Sequence, residues 1–112
     1  MFYQRAMMGM MVAASVLQSS CVWVDLNDKG KPVRVMTSNE VGRCSKIGHV
    51  TSNTSADVAG IPRDDESLNN ELTRLARNYA GEMGGNAVVA IGAPKDGTQN
   101  FNVYRCPASV LR

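Results

Sequence analysis

The chain has 112 residues, with 12 Lys and Arg against 10 Asp and Glu and a formal net charge of +2. That length fits one domain with a modest core. The near-balanced charge excludes a strongly basic nucleic-acid binder, and no run of Lys or Arg along the sequence draws the chain to anionic lipid.

The first 20 residues read as a lipoprotein signal. Arg5 supplies the basic start, residues 6–17 form an apolar stretch, and Gln18-Ser19-Ser20 lead to Cys21. The apolar stretch falls short of the roughly 20 residues needed to span a bilayer as a helix. Bacterial lipoprotein signals place small residues just before an acylated cysteine and an aliphatic residue three positions ahead of it. Ser19 and Ser20 fit. Gln18 occupies the aliphatic position, and Leu17 lies one residue earlier. Cys21 is therefore the expected lipid-attachment site. Val22, rather than Asp, follows it, which implies export to the outer membrane. Removing the leader takes Arg5 with it and leaves a mature net charge of +1.

Three cysteines are present. With Cys21 acylated, Cys44 and Cys106 remain as a disulfide pair in the oxidising compartment. A crosslink closing a loop of this length is worth up to about 4 kcal/mol by chain-entropy arguments.

Residues 21–31 are expected as the lipid anchor and a short linker, with a turn at Asp28-Lys29-Gly30. Residues 32–112 are expected as the periplasmic domain. Pro32 to Met36 alternates and predicts a strand with Val33 and Val35 on one face. Val41 to Thr51 predicts a second strand, with Gly42 and Gly48 permitting a bulge. Residues 52–63 read as a loop. Asp64 or Asp65 caps a helix whose apolar stripe is Leu68, Leu72, Leu75, Ala76, Tyr79, Ala80 and Met83. Glu71, Arg74, Arg77 and Asn78 are expected to face away from the sheet. Gly84-Gly85 ends the helix. Asn86 to Ile91 predicts a central strand, Pro94 to Gly97 a turn, and Asn100 to Cys106 a last strand with Phe101 and Val103 on one face. The order β-β-α-β-β makes a small α+β fold, one helix packed on one face of a sheet. Leu72 and Leu75 are expected against Val89, Phe101 and Val103. Both cysteines fall on the opposite, more polar face.

These residues carry a resemblance. Cys21 with Trp23, the strand at 33–35, Cys44 with Gly48, the stretch ELTRLARNYAGEMGGNAVVA at 71–90, Asp96-Gly97 and FNVYRC at 101–106 resemble a family of small proteobacterial lipoproteins of unknown function. The helix-to-GGNAVV junction is more distantly similar to the outer-membrane sensor lipoprotein of the Rcs envelope-stress phosphorelay. That sensor is a lipid-anchored, disulfide-bonded α+β domain acting through partner proteins. The resemblance implies an envelope location and a fold, and no activity. The sensor has two disulfides and a long linker, whereas this chain has cysteines for one.

The functional expectation is an outer-membrane lipoprotein with its domain in the periplasm, acting as an interaction module. Its partners are the membrane, through Cys21, and envelope proteins. No catalysis, cofactor, nucleic acid or small-molecule ligand is indicated. Arg74, Arg77 and Asn78 are the candidate partner face, weighed against a merely solvated helix surface. His49, the single histidine, lacks companions at metal-ligand spacing and reads as an ordinary strand residue. Two alternatives stand beside this reading: a thiol-disulfide redox protein using Cys44 and Cys106, and a periplasmic small-molecule or metal binder.

Overall fold

Alternation of apolar and polar side chains builds the sheet and decides which of its faces the helix covers. The computed structural model describes residues 25–58 and 60–111; the leader and Cys21 lie outside them. Among the described residues the elements are β1 (Arg34–Val35), a 3-10 turn (Ser38–Val41), β2 (Ser45–Asn53), β3 (Asp57–Val58), β4 (Ile61–Pro62), α1 (Asp65–Glu82), β5 (Ala87–Lys95) and β6 (Thr98–Arg105). The main sheet has the order β1-β5-β6-β2; β1 runs parallel to β5, and the other pairs are antiparallel. The fold is α+β, with α1 packed on the mixed four-stranded sheet.

Helix α1 begins where its sequence signals place it. The Asp64 carboxylate accepts from the Ser67 backbone N–H at 2.7 Å, satisfying one of the first-turn amides that lack an intrahelical partner. The helix stops in a paired-bond motif. Gly84, at φ +85°, donates to Gly81 C=O, and Gly85 donates to Ala80 C=O at 2.8 Å. Glycine takes this left-handed conformation without a Cβ penalty. A side chain at Gly85 would also collide with Val103 of β6.

Between helix and sheet lie Val33, Val50, Ala76, Ala80, Val88, Phe101 and Val103. Leu72 is fully buried, but Leu75 is half-buried and Tyr79 and Met83 are 42% exposed. The narrow sheet is covered by the Leu72-Ala76-Ala80 row, and Met83, at the end of the stripe, reaches Gly48 of β2. Val89, expected under the helix, faces the other way. It joins Met36, Val41, Ala87 and Cys106 in a second apolar cluster. The face away from the helix is therefore apolar at its disulfide end. It is polar at its hairpin end, where Thr51 donates to Asn100 and Thr98 to Asn53.

Other boundaries differ from expectation. The first strand shrinks to two residues; Val33 is buried under the helix while Val35 is 54% exposed. The segment 52–63 is not a simple loop. β2 runs on to Asn53, and β3 and β4 form a small antiparallel hairpin. Asp96 and Gly97 both have positive φ, the geometry of a tight hairpin turn matched to strand twist. They join strands that extend to Lys95 and back from Thr98.

Candidate functional site

The Cys44–Cys106 disulfide is formed, with the two Cα atoms 4.3 Å apart. The β2–β6 ladder pairs Lys46 with Tyr104 and Ser45 with Arg105. Cys44 and Cys106 continue that register by one step, so the bond closes the end of the ladder. Cys106 is buried and Cys44 is half-buried, both among the second apolar cluster. Their shared face depends on a bulge. The register shifts between Lys46 and Gly48, and the inserted Ile47 inverts the facing of everything before it. Gly48 and Val50 consequently face the helix, while Lys46 and Cys44 face away.

The outer surface of the second half of α1 is engaged by the N-terminal segment. Asn78 accepts from Asn27 N–H at 2.9 Å and donates to Asp25 C=O at 2.9 Å. Arg77 donates to Lys31 C=O and to Val33 C=O, at 2.9 and 2.7 Å. Gly30 and Gly81 let the two backbones meet. A side chain at Gly81 would overlap the Lys29 carbonyl, and one at Gly30 would overlap Asn78. The turn itself is held by Asn27, whose side chain accepts from Gly30 N–H at 2.7 Å. Residues 25–31, expected as linker, are thus part of the domain body. Arg77 and Asn78, expected to face away as a partner surface, are spent on holding that segment. Arg74 is exposed and remains outward. Burial lowers the Arg77 pKa, and neighbouring Arg74 lowers it further.

Glu71, also expected to face solvent, is buried and forms an ion pair with Arg63. Arg63 reaches back to Thr54 and Ser55 as well, so it ties the β3–β4 hairpin to the first half of the helix. Sequence periodicity missed this pair because the hairpin, not the sheet, buries Glu71. His49 is exposed on β2, opposite Asn102. Among the described residues no His, Cys, Asp or Glu group has the arrangement of a metal site. No described helix is long and apolar enough to cross a membrane.

The clamp of Asn78, Arg77, Gly30 and Gly81 and the disulfide-closed ladder are the two arrangements most distinctive of this chain. No curated protein and no solved structure matches it. A family model, that of a domain of unknown function (DUF4156), matches residues 24–106. That span contains the clamp, both bonded cysteines and the whole sheet, and the chain belongs to the DUF4156 family.

Proposed function

We propose that the protein is an outer-membrane lipoprotein, acylated at Cys21, whose periplasmic domain works by contact with other envelope components. The observation that carries this reading is the pairing of a lipoprotein-type leader with a domain that starts immediately behind it. Asp25, four residues after Cys21, is already held by Asn78. The disulfide adds support, since such bonds persist in the oxidising envelope. Its place in an apolar cluster at the end of a ladder favours a structural over an exchanging role. An extension toward envelope stress rests on the sequence resemblance of the helix-to-GGNAVV junction to the Rcs sensor alone.

The test is labelling with radioactive palmitate and membrane fractionation of the wild type and of Cys21→Ser. Label in the wild type alone, with loss of membrane association in the variant, supports the anchor. Label persisting in Cys21→Ser refutes it. Crosslinking in intact envelopes, with and without Arg74→Ala, then asks whether the outward helix face meets a protein partner.

A further inference from the structure

Folding assembles a cation cluster that the linear sequence does not show. Lys31 and Arg34 lie on the β1 side of the sheet. Arg77, more than 40 positions later, is brought beside them by its bonds to Lys31 C=O and Val33 C=O. Together with exposed Val35 and half-buried Leu111 they line one open groove, and among the described residues no Asp or Glu lines it. Asp28 approaches Lys31 from outside it, at 3.6 Å.

Charge divides along the domain. The clamp end carries Lys29, Lys31, Arg34 and Arg77 against Asp25, Asp28 and Glu82, a net of +1. The opposite end comprises residues 57–71 with Arg74, which shares a groove with Pro62, Asp64 and Glu71, and with Lys95 and Asp96. It carries six carboxylates against three cations, a net of −3. These two ends are far apart. The Asp96-Gly97 turn packs by Asp65 and Asn69, and a helix rising 1.5 Å per residue puts Asp65 about 20 Å from Asn78.

The second observation is the tether. Four residue steps separate Cys21 from Asp25, and a chain advances at most about 3.6 Å per residue, so the span cannot exceed about 14 Å. Asp25 is fixed to Asn78 at the positive end. An acyl chain on Cys21 therefore keeps that end within reach of the headgroups.

We infer that the domain lies face-down on the membrane that holds its anchor, with the Lys31–Arg34–Arg77 groove against anionic phospholipid headgroups and the Asp96-Gly97 turn directed away. This rests on the lipid-anchor reading. A surface of negative potential attracts the +1 end and repels the −3 end, each cation near the surface contributing about a fivefold preference. Exposed Val35 sits at the depth where an apolar side chain gains from the headgroup–acyl boundary.

The experiment uses the full-length lipidated protein, extracted in detergent and reconstituted into phosphatidylcholine vesicles with or without phosphatidylglycerol. A trace of photoreactive phospholipid is included, and adducts are mapped by mass spectrometry. Adducts should concentrate at residues 29–35 and Leu111 and be sparse at 57–62 and 94–97. Their yield should rise with phosphatidylglycerol. It should fall about fivefold for each of Lys31→Gln and Arg34→Gln, both exposed side chains. Label spread evenly over the domain, concentrated at the Asp96 turn, or indifferent to phosphatidylglycerol overturns the orientation. Intact mass reports the anchor separately. An acylated Cys21 with evenly spread label defeats the orientation alone; an unacylated Cys21 defeats the anchor and this placement with it.

Discussion

The side-chain amide of Asn86 brackets the backbone of Cys106: its oxygen accepts from Cys106 N–H at 2.7 Å and its nitrogen donates to Cys106 C=O at 2.9 Å. The Asn86 backbone meanwhile accepts from Arg34 N–H and donates to Tyr104 C=O. One residue thus joins the end of the helix, the start of β5, the edge strand β1 and the disulfide. This gives the Gly84-Gly85-Asn86 junction a physical reason. The glycines close the helix, and the asparagine replaces the ladder bonds that β6 lacks once it passes Arg105.

Asn86→Ala should destabilise the domain by about 1–3 kcal/mol, the cost of leaving part-buried backbone groups unpaired. Asn86→Asp retains the acceptor and loses the donor, so it should fall between the two. Denaturant unfolding with the disulfide intact measures both. An unchanged midpoint for Asn86→Ala would mean that water replaces the amide at no cost.

Gly81→Ala separates helix propensity from packing. In an exposed helix interior the change is favourable by about 1 kcal/mol. Here the added methyl overlaps the Lys29 carbonyl and should push the 25–31 turn off the helix. Amide exchange at Gly30 and Lys31 should accelerate, while the amides of Leu72 to Ala80 keep their protection. A raised melting temperature with unaltered exchange at Gly30 would show that the two backbones do not pack as described.

Leu72→Ala should cost about 2–5 kcal/mol, because a fully buried side chain is lost and a cavity remains. Arg74→Ala, on the exposed side, should stay within about 0.5 kcal/mol. Leu75→Ala should cost less than Leu72→Ala, since Leu75 is half-buried. Chemical denaturation of the three variants checks the order, and equal effects for Leu72 and Arg74 would mean that the helix orientation is wrong.

Acid should weaken the domain partly through two exposed carboxylates. The Ser67 backbone N–H, and then its hydroxyl, hold the Asp64 carboxyl below its usual pKa. The Thr37 backbone N–H and hydroxyl do the same for Glu40. A carboxyl with a folded pKa below its unfolded value stabilises fully above the unfolded value and loses that contribution as pH falls through the folded one. Unfolded carboxyls titrate near pH 4, so the loss sets in below about pH 5. Asp64→Asn with Glu40→Gln should flatten the decline in melting temperature on acidification. An identical acid slope in wild type and double variant would remove these two groups from the account.

Much of this fold is legible in the sequence, because its signals are local. The helix from its Asp64 cap to the Gly84-Gly85 stop, the Asp96-Gly97 turn, and the alternation that buries Phe101 and Val103 each depend on residues within a few positions. Three cysteines allow three pairings, and reading Cys21 as the lipid site leaves Cys44 with Cys106, the pair that is bonded. The tertiary structure decided what depends on distant partners. Helical periodicity says which residues share a face, not what covers that face, so Arg77 and Asn78 read as outward until the N-terminal turn is seen upon them. Glu71 reads as outward until Arg63 arrives from the hairpin. Val89 sits in an unbroken apolar run, which carries no facing information. A strand's period of two assigns its faces only within an uninterrupted register. The bulge at Ile47 breaks that register, and it alone places Val50 under the helix and Cys44 against Cys106 on the other side.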